Sequence, residues 1–251
     1  MKIIYFTSTG NSLWVARQFT DIPISIIGLK RSGIYDITDE EAIGVIIPDH
    51  VSDLPSPVSE YLKKVSLNAP YKFAIVTCGG NIISTVSQLI RLQQFDYVDS
   101  MRMVSNHFTM VSEEVQIMTA SEKHIPEQLM RIVANVKDKV HSIEYPSFLS
   151  RIKGAAIRLF FPLLGQNYKR FYIDQTKCVK CGICSKVCPM DNIVYNPWPV
   201  IGKECIVCGA CRQNCPKNAI RFKGEKDEVQ FRNPNVTVRD IIIANDTPCH
   251  I

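Results

Sequence analysis

The sequence predicts an α/β fold, in which a doubly wound parallel five-stranded sheet is followed by a small, cysteine-rich α+β domain. Two patterns predict it. Over residues 1–145, short apolar runs typical of buried strands alternate with stretches of helical periodicity. Beyond them, eight of the ten cysteines fall between Cys178 and Cys215. At 251 residues the chain is long enough for one large and one small domain.

The sheet is expected to use five apolar segments, which are Lys2–Phe6, Ile22–Ile27, Ile43–Ile47, Lys72–Thr77 and Tyr97–Val104. Helical patterns lie near residues 11–19, 56–65, 82–94 and 121–142. Strands of this composition are buried on both faces, and the intervening helices cover the sheet. Ligands of doubly wound sheets bind at the carboxyl ends of the strands, so the loops that follow the strands form the candidate binding site.

The loop after the first strand has the sequence TSTGNS and comprises Thr7, Ser8, Thr9, Gly10, Asn11 and Ser12. Its hydroxyls, its amide and the N–H groups of the next helix can surround a phosphate without lysine or arginine, and Gly10 allows a close backbone approach. A dinucleotide-binding loop would contain more glycines and would pair with an acidic residue after the second strand. A terminal monophosphate is therefore predicted. A loop that only caps the helix is the alternative.

Two further loops, at residues 48–57 and 77–81, and the residues after the fifth strand complete the candidate site. Gly79 and Gly80 would let the backbone lie against a flat ring. A monophosphate and a flat ring together indicate FMN. The candidate binding residues here are Pro48, Asp49, His50, Thr77, Cys78, Gly79, Gly80, Asn81 and Asn106. His107 fits the core and the site equally well, and a free structural thiol is the alternative for Cys78.

The cysteines form an internal repeat. The segments CVKCGICSKVCPMDNI and CIVCGACRQNCPKNAI both contain C-x2-C-x2-C-x3-C-P, and they begin 27 residues apart. This duplication is typical of the bacterial ferredoxins with two [4Fe-4S] clusters, in which the fourth cysteine of each motif binds the other cluster. The predicted ligand sets are Cys178, Cys181, Cys184 and Cys215 for one cluster, and Cys205, Cys208, Cys211 and Cys188 for the other. Two four-cysteine zinc sites are the less favoured alternative.

The TSTGNS loop and the Gly-Gly loop after the fourth strand resemble those of the short-chain flavodoxin family. Together with the cysteine repeat, nearly the whole chain resembles the flavodoxin-ferredoxin fusion proteins (ferrodoxins) of anaerobic bacteria and archaea. The resemblance implies that Thr7 to Ser12 hold the FMN phosphate and that Gly79 to Asn81 line the isoalloxazine. The family often has an aromatic residue in the second and third loops. Here His50 could stack in its place, whereas Cys78 could not.

We expect four segments in the chain. Residues 1–145 form the flavodoxin-like domain, 146–171 a basic amphipathic linker helix, 172–224 the two-cluster domain, and 225–251 a tail that packs back on the domains. Ile193 to Val200 and Ala219 to Phe222 are expected as short pairing strands. In the tail, Thr237 is a candidate N-cap with Asp240 three residues on, which predicts a helix there.

Charge is unevenly distributed. Residues 1–145 carry 13 Lys/Arg and 16 Asp/Glu, residues 146–223 carry 13 and 3, and residues 224–251 carry 3 and 5, so the middle segment holds the excess behind the net charge of +5. An acidic redox partner protein is therefore expected. No nucleic-acid recognition motif accompanies the charge. A homodimer is an open alternative.

The basic stretch 148–171 has two interpretations. One is a linker helix packed on the flavodoxin-like domain, and the other is a helix that binds a membrane surface. The first is favoured because the sequence shows no second anchor, so no membrane association is expected. The apolar run at the start is too short for a signal peptide, and the stretch 155–164 is about half the ~20 residues of a membrane span. These features predict a cytoplasmic protein.

The predicted function is electron transfer between FMN and two [4Fe-4S] clusters, which couples two-electron and one-electron carriers. No catalytic residue is assigned. The alternative is an FMN-dependent reductase of a small molecule that is fed by its own clusters, for which Cys78 in place of a bulky ring would open a pocket. A redox-sensing protein is a third alternative. Because the chain contains no GxGxxG motif, a separate reductase is expected to supply the electrons.

Overall fold

The computed structural model describes residues 1–80, 85–109, 111–143, 145, 147–160 and 168–246. Its main sheet is parallel throughout and has the strand order β2-β1-β4-β6-β7-β8. The strands are β1 (Lys2–Tyr5), β2 (Ile24–Ser25), β4 (Ala42–Pro48), β6 (Tyr71–Cys78), β7 (Tyr97–Arg102) and β8 (Ser142–Ile143). A separate parallel pair joins β3 (Asp36–Thr38) to β5 (Ser66–Asn68).

The parallel α/β sheet is confirmed, but it has six strands within the described residues where the sequence predicted five. The additional strand is the edge strand β8, whose two residues are too few to give a hydrophobic pattern. The predicted strand Ile22–Ile27 is too long at both ends, because only Ile24–Ser25 is a strand and a helix begins at Ile26. There Ser25 Oγ accepts hydrogen bonds from the N–H groups of Ile27 and Gly28, which caps a helix and ends the strand.

Helices cover both faces of the sheet. They are α1 (Asn11–Ala16), α2 (Ile26–Arg31), α3 (Ser56–Leu62), α4 (Thr85–Leu92), α5 (Glu113–Met118) and α6 (Ile125–Lys137), with a 3-10 turn at Ala120–Lys123. The side chains of β1 and of the residue after it alternate between two hydrophobic cores, one on each face of the sheet. Ile3 and Tyr5 belong to the first core, and Ile4 and Phe6 belong to the second.

The cysteine-rich segment packs into the first of these cores, which also contains Val187, Ile193 and Ile220. It consists of two antiparallel ribbons and two short helices. The ribbons pair β9 (Phe171–Ile173) with β12 (Ile220–Phe222), and β10 (Ile193–Tyr195) with β11 (Pro199–Ile201). The helices are α8 (Ile183–Lys186) and α9 (Ala210–Gln213), and a 3-10 turn, Tyr168–Arg170, precedes β9. The sheet and the cysteine-rich segment therefore share a continuous hydrophobic core.

Two helices lie outside these layers. Helix α10 (Val238–Asp246) contacts α2 and α8, so the tail returns to both parts of the molecule. In helix α7 (Phe148–Phe160), every side chain that the structure describes is exposed. None of the described helices is both long and apolar enough to cross a membrane.

Candidate functional site

A cavity opens at the carboxyl ends of β1, β4 and β6. Counted to its open mouth, the cavity measures about 1340 Å³. Its walls come from residues 6–9, 11–12, 48–52, 55, 77–80, 104–108 and 111, together with Gln116, Val207 and Cys208. The candidate residues that line it are Thr7, Ser8, Thr9, Asn11, Ser12, Pro48, Asp49, His50, Thr77, Cys78, Gly79, Gly80 and Asn106. Asn81 lies outside the described residues. The three candidate loops therefore meet around one space.

Three of the four hydroxyls of the opening loop are hydrogen-bonded within the protein. Thr7 Oγ1 accepts a hydrogen bond from the Gly10 N–H at 3.0 Å, and Ser12 Oγ lies 2.8 Å from Thr77 Oγ1. Asn106 Nδ2 donates to Thr9 Oγ1. A hydroxyl has one donor and two acceptor positions, so these bonds hold the loop in shape and leave further hydrogen-bonding capacity for a ligand.

Gly10 differs from its sequence-based interpretation. It is not among the residues that line the cavity, and its φ of 99° lies in the left-handed region. A Cβ added to it would lie 2.8 Å from Val236 Cβ and 3.1 Å from Asn233 Cβ. The missing side chain of Gly10 therefore makes room for the C-terminal tail.

The second loop contains a strained turn. The N–H groups of His50 and Asp53 each donate to the carbonyl of the other, and Val51 and Ser52 between them have φ values of 58° and 64°. A β-branched residue in the left-handed region is a clear backbone outlier, at a cost of about 1–3 kcal/mol. The carboxylate of Asp49 accepts hydrogen bonds from Thr85 Oγ1 and the Ser52 N–H, which hold the turn against the cavity.

The third loop has one glycine that the fold requires and one that it does not. A Cβ on Gly79 would lie 2.4 Å from Ser105 Cβ, whereas a Cβ on Gly80 would meet no atom within 4 Å. Lys123 Nζ donates to the Gly79 carbonyl at 2.9 Å. Cys78 is buried beneath the loop, and its Sγ lies 2.8 Å from the Gly80 carbonyl oxygen. Gly80 also lines the cavity, so the backbone of the third loop borders the space that a planar ring would occupy.

Two histidines, His50 and His107, line the same cavity. Burial lowers the pKa of both imidazoles, that of His107 to about 4. Neutral rings are therefore expected at neutral pH, and a flat apolar ligand could pack against them. His107 Nδ1 lies 3.1 Å from Thr109 Oγ1, and its ring stacks on Phe108 at 6.0 Å between centroids.

The cysteine-rich segment contains two small cavities, each with four cysteines in its wall. One measures about 340 Å³ and is lined by Cys178, Cys181, Cys184 and Cys215. The other measures about 320 Å³ and is lined by Cys188, Cys205, Cys208 and Cys211. Within the described residues, no three His, Cys, Asp or Glu side chains lie close enough together for a single metal ion. Four thiolates around a [4Fe-4S] cluster do not converge on one atom, so they suit such a cavity.

The backbone repeats along with the cysteines. Three pairs of residues with positive φ are 27 positions apart, namely Lys180 and Val207, Gly182 and Gly209, and Asp191 and Asn218. Left-handed residues are uncommon outside glycine, so this periodicity shows that the two motifs adopt the same local structure. The second cysteine-lined cavity is therefore a structural copy of the first.

The thiols of the second cavity are held in an apolar environment. Burial raises the pKa of Cys205 to about 11 and raises the pKa values of Cys208 and Cys211 further. Thiolates bind iron and thiols do not, so metal binding there must displace protons. The Val207 N–H donates to Cys205 Sγ at 3.4 Å, and the Ala219 N–H donates to Cys215 Sγ at 3.3 Å.

Residues 171–194 match the family model of the 4Fe-4S binding domain. This span contains the first cysteine motif, from Cys178 to Cys188. The match identifies a ferredoxin-type 4Fe-4S binding domain that holds a [4Fe-4S] cluster, and it indicates iron–sulfur electron transfer. No curated protein sequence matches the chain.

The second cysteine motif, which repeats the 4Fe-4S binding domain, contacts the loops at the sheet directly. Asn214 Nδ2 donates to the Ser8 carbonyl at 3.1 Å, and Gln213 Nε2 donates to the Asn106 carbonyl at 3.3 Å. Cys208 lines both the large cavity and the second cysteine-lined cavity. This contact could not be predicted from the sequence, because the apolar residues between the cysteines have no pattern that indicates which of them faces the sheet.

A buried charged network supports the same contact. Arg212, which is fully buried, donates to Glu225 Oε2 at 2.7 Å and to the carbonyls of Asp227 and Val229, and it lies 3.4 Å from Glu113 Oε1. Burial outweighs the attraction of Arg212 and raises the pKa of Glu113 to about 7. The network therefore joins α5, beside the large cavity, to α9, beside the cysteines.

Proposed function

We propose that the chain is an electron-transfer protein of the ferrodoxin type, which holds FMN in the large cavity and two [4Fe-4S] clusters in the cysteine-lined cavities. The observation that carries the proposal is the position of Cys208, which lies in the wall of both the large cavity and one cysteine-lined cavity. FMN exchanges one or two electrons and each cluster exchanges one, so adjacent sites would convert paired electrons into single ones.

The residues of the large cavity fit FMN. Thr7 to Ser12 supply hydroxyls and N–H groups for a phosphate, while Gly80 leaves open space and His50 supplies a neutral ring at the other side of the cavity. The strand order of the main sheet also supports the proposal. Without β8 and the separate β3–β5 pair, the order β2-β1-β4-β6-β7 corresponds to the flavodoxin-like order 2-1-3-4-5. The predicted flavodoxin-like domain rests on this agreement.

The two clusters would be unequal in their surroundings. The cluster bound by Cys188, Cys205, Cys208 and Cys211 would adjoin the FMN cavity, whereas the other would lie near the surface, because Cys181 is exposed. Lys177 and Lys180 lie beside the exposed cluster, and Lys180 Nζ is 4.1 Å from the centre of the Trp198 ring. An acidic redox partner would dock there, with an association rate that falls as salt rises.

The first test is quantification of flavin, iron and sulfide in protein purified without oxygen. About one FMN and about eight irons per chain are expected. Zinc in place of iron, or the absence of flavin, would contradict the proposal. Iron at about half this amount would mean that the chain holds one cluster, and it would contradict the proposal of a second cluster.

A matched pair of ligand substitutions tests the order of the sites. Cys208→Ser and Cys181→Ser each remove one predicted thiolate, at the wall of the FMN cavity and at the exposed cluster respectively. After photoreduction of the flavin, Cys181→Ser should still show reduction of the inner cluster by electron paramagnetic resonance. Cys208→Ser should slow electron arrival at both clusters. Equal rates in the two variants would overturn the proposed order.

The alternative of a small-molecule reductase makes a different prediction. It requires a saturable acceptor site at the flavin, which would appear as turnover with a defined KM for one acceptor. Rapid exchange with one-electron carrier proteins and no saturable turnover would favour the electron-transfer function.

A further inference from the structure

Helix α7 carries an uncovered apolar face. Four of its large apolar side chains are between about half and three quarters exposed: Phe148 at 74%, Leu149 at 68%, Ile152 at 51% and Leu159 at 69%. With 3.6 residues per turn, they fall within an arc of roughly 100°, which is the width of the buried stripe on an amphipathic helix. On most surface helices such a stripe is packed against the protein, whereas here it is open to solvent.

The charges that the helix itself carries are of one sign. Residues 148–160 contain three Lys/Arg and no Asp/Glu. The basic residues are Arg151, Lys153 and Arg158. Lys153 is exposed and lies at the edge of the apolar arc. A partner that binds this face of α7 should therefore be apolar at the centre of its contact surface and negatively charged at the edge.

We propose that α7 binds the surface of membranes that contain anionic phospholipids. Phe, Leu and Ile would insert between the lipid head groups, and the basic residues would lie among the phosphates. At 13 residues the helix is about 20 Å long, shorter than the ~30 Å hydrocarbon core, so it would lie in the plane of the membrane rather than cross it. A single short helix gives reversible binding.

This proposal goes beyond the proposed electron-transfer function and does not depend on it, because none of the α7 side chains that the structure describes lines the large cavity or the cysteine-lined cavities. An acidic protein or a second copy of the chain could also cover an apolar face with basic edges. The observation that favours lipid is the high exposure of side chains as large as Phe148 and Leu159 together with the uniform sign of the charges that the helix itself carries.

The test is co-sedimentation of the full-length protein with vesicles of equal parts phosphatidylcholine and phosphatidylglycerol, or of phosphatidylcholine alone. Binding should be at least about fivefold stronger to the anionic vesicles, and it should weaken in about 1 M salt, where charges are screened beyond ~3 Å. Absence of binding to the anionic vesicles at low salt, or equal binding to both kinds, would overturn the proposal.

Two substitutions supply the matched comparison. Ile152→Glu places a charge on the apolar arc of α7, and Met130→Glu makes the same change at a residue of α6 that is 66% exposed. Ile152→Glu should weaken vesicle binding about tenfold, and Met130→Glu should bind as the unmodified protein does. Equal losses in both variants would overturn the proposal. Concentration-dependent dimerisation or capture by polyglutamate, each lost in Ile152→Glu and without vesicle binding, would assign the face to another occupant.

A spectroscopic measurement locates the helix directly. Phe148→Trp should give a blue-shifted difference emission when anionic vesicles are added, because the new indole would enter the head-group region. An unchanged spectrum in a variant that still co-sediments would show that another part of the protein holds the membrane, and the assignment to α7 would fail.

Discussion

At the scale of single residues, the site depends on side chains that bind no ligand. Arg212 is the largest fully buried side chain among the described residues. Its contacts to Glu113, Glu225 and two carbonyls hold α9, the helix that contains Cys211, in place. A buried guanidinium is tolerated only when most of its donors are satisfied. The arrangement of the cysteines is therefore maintained by a polar network that lies behind them.

The pKa of Glu113 leads to a prediction about pH. It is raised from 4.5 to about 7, chiefly by burial. Between these values the folded chain holds this proton more tightly than the unfolded chain, so the contribution of Glu113 to stability falls as pH rises from about 4.5 to about 7.

Glu113→Gln removes this titration. Between about pH 5 and about pH 8, Glu113→Gln should become more stable relative to the unmodified protein, as judged by the free energy of unfolding. Urea unfolding at several pH values in this range measures it. Glu114→Gln, which alters an exposed neighbour on the same helix, serves as the control and should show no comparable trend. A difference that stays constant with pH would contradict the prediction.

The two glycines of the third loop should respond differently to substitution. Gly79→Ala would force Ser105 and its backbone to move, since the new Cβ would lie 2.4 Å from Ser105 Cβ and 3.1 Å from Ser105 Cα. It should lower the free energy of unfolding by about 1–3 kcal/mol. Gly80→Ala should leave that free energy within about 0.5 kcal/mol of the original.

Urea unfolding of both variants provides the measurement, and flavin titration separates folding from binding. Under the proposed function, Gly80→Ala should weaken FMN binding although it does not destabilise the fold. Equal stability of the two variants would show that Ser105 does not restrict the loop.

At the scale of elements, α10 begins with a reciprocal cap. The Thr237 N–H donates to Asp240 Oδ2 at 2.8 Å, and the Asp240 N–H donates to Thr237 Oγ1 at 3.2 Å. Asp240 also pairs with Arg17 on the other side of the interface. Burial would raise the pKa of Asp240, but Arg17 and Thr237 outweigh it and hold the pKa at about 2.

Asp240→Asn should therefore destabilise the tail by about 1–2 kcal/mol at neutral pH. The loss should disappear as pH falls from about 4 towards 2, because the native carboxylate is itself protonated there. Asp246→Asn removes the same charge from the other end of α10, where a negative charge opposes the helix dipole, so it should not destabilise. Limited proteolysis of the tail measures the effects of both substitutions.

The elements that the sequence predicted well are those with a local signal. Strands β4 and β6 appear as continuous apolar runs, and the Thr237–Asp240 pair is a capping motif within four residues. What the sequence does not predict depends on distant residues. Val236 lies close to Gly10, and the described side chains of α7 meet no partner surface among the described residues. Periodicity reports that a face is apolar, but it does not report what covers that face.

At the scale of the whole molecule, the sheet and the 4Fe-4S binding domain with its repeat are joined by buried hydrogen bonds as well as by the shared core. Asn245 is fully buried, and its Nδ2 donates to the Thr7 carbonyl at 3.2 Å and to the Val187 carbonyl at 3.1 Å. One side chain of the tail thus holds the opening loop and the residue before Cys188 together. The two parts should unfold as one cooperative unit.

The two tryptophans test this cooperativity without reference to any cofactor. Trp14 lies on α1 and Trp198 between β10 and β11, so Trp198→Phe and Trp14→Phe leave one reporter in each part. Their unfolding midpoints in urea should coincide. Asn245→Ala should lower stability by about 2 kcal/mol and separate the two midpoints, whereas Asn235→Ala, at an exposed residue, should do neither. Separate midpoints in the original protein would show that the two parts unfold independently.

The contact between Thr7 and Asn245 spans 238 positions of the chain. During synthesis the opening loop leaves the ribosome long before Asn233 and Asn245, the residues that hold it. The loop can therefore take its final shape only after residues 233–245 have emerged and folded back onto the sheet. Chains that stop before Asn233 would carry the opening loop without these contacts.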